Sequence, residues 1–266
     1  MQKNIDNNQF GKISKFYLKA KKKDDKTILD DVYFTAPYKI MQPFLLKDGS
    51  IQVMLLSASA GIMEGDRQEF KFHIQEEAKL EFVSQSYDKI HQMKSDCAKR
   101  HTEIQVAKNA TFYFNPQPTI PFKDSAFENT MDIYLEDESS VFCMTEIFSC
   151  GRYMRQEKFA YRFYHNLVKI YRKDKLIYRD NTRYEPKLFD MNSIGMYESY
   201  THQTNIFITK PKNNTDFLQK VQALFENNPV VDGSITTISS GDFAIRAFSN
   251  RAQFLEQLND MIYQLL

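Results

Sequence analysis

The run KFAYRFYHNLVKIYR, residues 158–172, sorts its side chains with a period of two. Phe159, Tyr161, Phe163, His165 and Leu167 take one side, and Ala160, Arg162, Tyr164 and Asn166 the other. An extended strand points successive side chains to opposite faces, so this run reads as a long β-strand. The pattern continues toward the N-terminus. IQVMLLS (51–57) and RQEFKFHI (67–74) read as strands, and in the second Phe70, Phe72 and Ile74 share a face opposite Lys71 and His73. Leu80 with Phe82, and Phe112 with Phe114, repeat the alternation. Turns at KDGS (47–50), AKNA (107–110) and RKDK (172–175) punctuate these runs, and KAKKKDDK (19–26) reads as a solvated hairpin tip. Many strands in succession predict a β-sandwich, barrel or solenoid over residues 1–210.

Helical periodicity is confined to residues 211–266. In TDFLQKVQALFENN (215–228), Phe217, Leu218, Val221, Leu224 and Phe225 form one stripe, with Thr215 or Asn214 as candidate caps. In NRAQFLEQLNDMIYQL (250–265), Phe254, Leu255, Leu258, Met261 and Ile262 do the same. No linker or composition break divides the chain, which predicts a single domain over 1–266.

The bulk numbers narrow the function classes. With 35 basic and 34 acidic residues the net charge is +1, which lacks the basic footprint of a nucleic-acid binder. The 22 Phe and 15 Tyr against no Trp predict an aromatic β core. Cys97, Cys143 and Cys150 form no disulfide framework, and reduced thiols in a cytoplasmic protein are expected. The N-terminal MQKNIDNNQFGKISKF has no apolar core of a secretory signal, and no run is long and apolar enough to predict a membrane span.

Motifs of catalysis and metal binding are missing. His73, His91, His101, His165 and His202 stand at no HxxxH or HExxH spacing, and no nucleophile elbow, Walker loop or GxGxxG occurs. In VSQSYDKI (83–90), Ser84, Ser86 and Asp88 fall on one face. In TEIFSCGRYMRQEKF (145–159), Glu146, Gly151, Arg152, Arg155 and Glu157 cluster, with an Arg155–Glu157 surface pair as the bland account. SASAGIMEGD (57–66) carries Gly61 and Gly65 around Ile62-Met63 and ends on Asp66; hairpin geometry accounts for its glycines. From the residues alone, a hydrolase using Asp66 with Glu146 and a plain binding module both remain open.

Six segments, in order, resemble the UreD family of urease accessory proteins, called UreH in some bacteria. They are FTAPYKIMQPF (34–44), SASAGIMEGD (57–66), VSQSYDKIHQM (83–93), PQPTIPF (116–122), EIFSCGRYMRQEKF (146–159) and KLIYRDNTRYEP (175–186). Ala60 replaces the first glycine of the family's Gly-Gly, Glu64 the glycine before Gly-Asp, and Gln156 the glycine of an Arg-Gly-Glu variant; these departures are similar to the UreH branch. On this resemblance Gly61, Gly65, Gln85, Lys89, Gly151, Arg152, Arg155 and Asp180 are signature residues with structural roles.

The resemblance implies a mainly β fold, a β-solenoid or β-helix-like stack of sheets with two short C-terminal helices. It implies an assembly factor that is not an enzyme; with the charge balance and the lack of a long apolar run, a cytoplasmic protein without nucleic-acid or membrane partners is expected. It implies binding to apo-urease and to a helical partner, UreF, which recruits the GTPase UreG, in a two-fold heteromeric complex. No cofactor is expected to be held tightly; nickel(II) passes in transit through an internal tunnel. Weak oxygen donors suit such a conduit better than imidazole or thiolate, and Asp66, Glu146, Glu157 and Ser84 are the candidate contacts on the metal path. For Asp66 and Glu146 the other reading is that each is a buried hydrogen-bond partner holding a turn.

Overall fold

The computed structural model describes residues 13–211 and 213–266; the expected lack of a secretory signal rests mainly on residues outside that range. The strands, in chain order, are β1 (Ile13–Lys23), β2 (Lys26–Phe34), β3 (Tyr38–Ile40), β4 (Phe44–Leu45), β5 (Ile51–Ser57), β6 (Arg67–Ile74), β7 (Lys79–Ser84), β8 (Asp88–Ile90) and β9 (Ala98–Val106). They continue with β10 (Thr111–Asn115), β11 (Thr119–Pro121), β12 (Ala126–Leu135), β13 (Val141–Ser149), β14 (Phe163–Arg172), β15 (Lys175–Tyr184), β16 (His202–Ile208), β17 (Val231–Thr237) and β18 (Phe243–Ser249). Helix α1 is Asn214–Glu226 and helix α2 Ala252–Tyr263. The long run that opens the sequence reading becomes a strand only from Phe163; residues 158–162 form the turn that leads into it.

Two sheets result, one ordered β15-β14-β12-β9-β6-β1-β2 and the other β17-β18-β16-β13-β10-β7-β5-β3, with short β4, β8 and β11 attached to the second. The central neighbours of the first sheet, β1, β6, β9, β12 and β14, are parallel, as are β5, β7, β10 and β13 of the second. The chain therefore crosses between sheets where the sequence suggests hairpins. SASAGIMEGD joins β5 of one sheet to β6 of the other, and AKNA joins β9 to β10 in the same way. RKDK is a true hairpin between antiparallel β14 and β15. The mainly β class and the two C-terminal helices match expectation. The two sheets are open.

Parallel register stacks side chains of like position into rows. One row of the first sheet runs Leu18–Phe72–Ile104–Ile133–Ile170, every member buried. Facing it, Val53–Phe82–Phe114–Met144–Phe207 crosses the second sheet. Phe72 meets Phe82 edge-on at 4.9 Å and Phe114 at 5.7 Å, so an aromatic layer binds sheet to sheet. On the opposite face of the second sheet α2 lies against β13, β16 and β18 and α1 against β17, with Cys143, Ile147, Phe217, Val221, Leu255 and Leu258 in one buried cluster. The residue flanking α1 is Asn213, which makes no side-chain cap bond, so neither Asn214 nor Thr215 caps the helix. All three cysteines are unpaired and buried. Among the described residues no helix is long and apolar enough to cross a membrane.

Candidate functional site in a polar layer between the sheets

Toward the start of β6, β9, β12 and β14, and past Met144 on β13, the rows change character. In the first sheet Ser14–Gln68–Arg100–Asn129–Asn166–Thr182 lie side by side, and in the second Glu146–Asn205–Arg246 do. Placing amides and charges on the inward face costs several kcal/mol unless each finds a partner. Most do. Asn166 Nδ2 donates to Glu146 Oε2 at 2.9 Å, and Asn129 Nδ2 donates to Asn166 Oδ1 at 2.8 Å. Arg100 donates from Nη1 to Asp88 Oδ2 at 2.6 Å and from Nε to Gln68 Oε1 at 2.8 Å. Its guanidinium lies 4.9 Å from the Phe70 ring centroid and 5.7 Å from that of Phe127. Tyr184 Oη donates to Gln203 Oε1 at 2.6 Å, Gln203 Nε2 to Asn205 Oδ1 at 2.8 Å, and Arg246 Nη2 to Asp180 Oδ2 at 3.0 Å.

Three cavities follow this layer. The first, of about 480 Å³, is bordered by the 57–66 crossing, Tyr38, Asp66, Asp88 and Arg100. The second, of about 40 Å³, lies between the sheets and is lined by Glu146, Asn129, Asn166, Tyr164 and Gln117. The third, of about 400 Å³, is bordered by Arg246, Asp232, Tyr184 and Phe189. Neighbouring cavities share walls: Asp88 and Arg100 belong to the first and second, Thr182 and Tyr184 to the second and third.

Electrostatics single out Glu146. Burial pushes its carboxyl up to about 7, against a partial offset from the Asn166 hydrogen bond; Asp180 adds to the rise and Arg100 opposes it. At neutral pH this carboxyl is balanced between its acid and its anion. Tyr38, only 6% exposed, has its phenol pushed up by burial. Its hydroxyl makes no geometric hydrogen bond although Arg100 lies close enough to pull its pKa down. Asn129 Oδ1 is likewise buried without a donor.

Of the expected path residues, Glu146 lines the middle cavity and Asp66 the first. Asp66 also holds its turn: Oδ2 accepts from Met63 N–H at 2.8 Å, and its own N–H donates to Met63 O at 3.1 Å. The two carboxylates border different cavities and form no catalytic pair. Ser84 Oγ instead accepts from Gln117 N–H at 2.8 Å and borders none of the three cavities. Glu157 lies outside them too. Arg152 takes its carboxylate in a two-bond fork, through Nε at 2.7 Å and through Nη2, and Lys123 N–H adds a third bond at 3.1 Å. The pairing expected with Arg155 is thus made with Arg152, whose guanidinium also covers the Phe122 ring at 3.9 Å.

The signature residues have local reasons. Gly61 has φ +149°, and a Cβ there would stand 2.3 Å from Lys89 O, where Ile62 N–H donates at 2.7 Å to tie the crossing to β8. Gly151 has φ +128°, and a Cβ would meet Glu157 O at 2.1 Å. Gly65 lies in the Met63–Asp66 turn with φ +79°, and Gln85 N–H donates to Leu55 O at 2.9 Å. Arg155 N–H donates to Arg152 O within a single 3-10 turn, and Asp180 accepts from Thr182 and Arg246. Ile62 is buried, whereas Met63 faces outward.

Arg100, Asn129, Asn205 and Arg246 escaped the sequence reading. For Asn129 the signal was a polar residue at an inward position of an otherwise apolar alternation, between Phe127 and Met131. Among the described residues no group of three or more His, Cys, Asp or Glu side chains is placed to hold a metal ion.

The chain matches the family model of the UreD urease accessory protein over residues 13–266. It is 35% identical over 260 residues to urease accessory protein UreD of Acetivibrio thermocellus, covering 97% of this chain and 99% of that one. It is 35% identical over 256 residues to urease accessory protein UreH of Helicobacter pylori, covering 96% and 95%. With UreH of Helicobacter hepaticus it shares 35% identity over 249 residues, covering 91% and 95%.

Proposed function

The chain belongs to the UreD family of urease accessory proteins, and from that premise we propose that it is a non-enzymatic maturation factor through which nickel(II) passes into urease. In this reading it binds apo-urease and UreF, reaches the GTPase UreG through UreF, and works in a two-fold heteromeric complex in the cytoplasm. The single observation that supports the passage is the file of three cavities along the polar layer, each sharing wall residues with the next.

The donors along that file suit a cargo better than a resident metal. They are carboxylate, amide and hydroxyl oxygens, which hold a borderline ion more loosely than imidazole or thiolate. Glu146, balanced near pH 7, gives up its proton as it takes the cation and takes a proton back from water when the cation leaves. Asp66 stands at the first cavity with one carboxylate oxygen committed to Met63 N–H.

Asp66→Ala and Glu146→Ala are expected to leave the protein folded and bound to UreF while lowering the nickel content of urease made alongside it. Nickel content equal to wild type in both variants overturns the passage. A second reading, a binding module that moves no metal, draws on the outward apolar side chains of Met154 and Ile194, 93% and 95% exposed. Nickel-dependent activation of urease in a reconstituted assay separates the two, because a module without a path activates equally with either carboxylate removed.

A further inference from the structure

The wall between the first two cavities is an ion pair, and its geometry leaves room for a second arrangement. Asp88 and Arg100 border both cavities and are joined at 2.6 Å. A guanidinium in that wall repels any cation entering from the first cavity, and it occupies the carboxylate the cation would seek. The adjacent strand holds an alternative partner for it. Asn129 is the direct neighbour of Arg100 across β9 and β12, on the same inward face, and facing residues of adjacent strands lie about 5 Å apart.

Asn129 Oδ1 is a buried acceptor without a donor. Its orientation is fixed from the far side: Glu146 takes Asn166 Nδ2, which turns Asn166 Oδ1 toward Asn129 and claims Asn129 Nδ2. The orphan is a by-product of that chain. On the first-cavity side, the buried Tyr38 hydroxyl, also without a hydrogen bond, lies close enough to Asp88, Asp66 and Arg100 for their charges to shift its pKa. An unmet acceptor on each side of one ion pair is costly to keep buried.

We propose that Asp88 is an entry site for a hydrated divalent cation, and that Arg100 is its displaceable occupant, turning from Asp88 to Asn129 Oδ1 when the cation arrives. Arg100 keeps its bond to Gln68 and its place over the Phe70 and Phe127 rings, so the exchange trades one hydrogen bond for another. Tyr38 Oη is placed to accept a hydrogen bond from a water of the cation's hydration shell. No covalent bond changes; one cation-carboxylate contact replaces another. The inference rests on the passage reading for its purpose and on the wall geometry for its chemistry.

The test is equilibrium binding of nickel(II) alone to the full-length chain, measured by titration calorimetry beside circular dichroism. Arg100→Gln vacates the carboxylate and is expected to tighten nickel binding about tenfold or more. Asp88→Asn is expected to abolish the wild-type binding event. Asn129→Leu removes the alternative acceptor and is expected to weaken binding several-fold without touching the ion. Wild-type affinity in folded Arg100→Gln overturns the proposal; should that variant not fold, wild-type affinity in Asp88→Asn overturns it instead. If the shifts occur as stated while urease nickel content is the same in every variant, the entry site stands and the passage reading falls.

Discussion

Two rows of side chains on the same strands, four residues apart, do opposite things. Leu18–Phe72–Ile104–Ile133–Ile170 is dry and locks one sheet to the other through aromatic contacts. Gln68–Arg100–Asn129–Asn166 occupies the same inward face with amides and a guanidinium. Backbone pairing is the same in both, so the fold does not require the second row. Its cost is met by hydrogen bonds, and not completely, since Asn129 Oδ1 is left over. The apolar row explains why the molecule holds together; the polar row is where a function can be lodged.

The largest effect is expected at the centre of the dry row. Phe72 contacts the rings of Phe16, Phe82, Phe112 and Phe114 at 5.5, 4.9, 5.3 and 5.7 Å. Phe72→Ala is expected to destabilise the chain by about 3–5 kcal/mol, because the emptied volume cannot be filled by relaxation of a close-packed layer. Urea unfolding monitored by circular dichroism reads it directly. A loss below about 1 kcal/mol would erase the distinction between the rows.

In the polar layer the expected effect has the opposite sign and depends on pH. Glu146 titrates near 7 in the folded chain, against 4.5 for an ordinary glutamate. Between those values the folded state holds a proton that the unfolded state has released. Stability therefore falls as pH rises from about 4.5 to 7, and it is flat above. Glu146→Gln keeps an acceptor for Asn166 Nδ2 and removes the titration. It is expected to be more stable than wild type at pH 8, by on the order of 3 kcal/mol at most, with the advantage vanishing near pH 4. A difference between the melting temperatures of the two proteins that does not change with pH would show that Glu146 is solvated like a surface carboxylate.

The two rows were not equally legible in the sequence. Alternation identified β6, β7 and β10, because a buried strand face needs apolar residues at every second position. It could not report that β5 and β6 belong to different sheets. Parallel neighbours such as Arg67 and Lys99 lie far apart in the chain, and no local turn chemistry encodes their pairing. Hence SASAGIMEGD resembled a hairpin although it crosses between sheets. Glu146 was singled out, and Asn166 was assigned a face, but the bond between them joins two strands from opposite sheets. Asp66 was legible for its turn and its place in a Gly-rich segment. Arg100 was not, since an arginine in an alternating strand is ordinarily a surface residue and only the register places Asp88, Gln68 and two rings around it.

The outward side of the same strands supplies a third environment and the smallest expected effect. Lys169 follows inward-facing Val168 on β14 and points the other way, where its Nζ lies 2.9 Å from Asp132 Oδ1. Both side chains are partly open to water, which screens their attraction and leaves the lysine stem mobile. Lys169→Ala is expected to cost less than about 1 kcal/mol, and less again at high salt. Asp132 retains His101 Nδ1 at 3.9 Å as a second partner. A salt-independent loss as large as that of Phe72→Ala would mean that the outward face also carries the fold, and the contrast between rows would then belong to the whole strand.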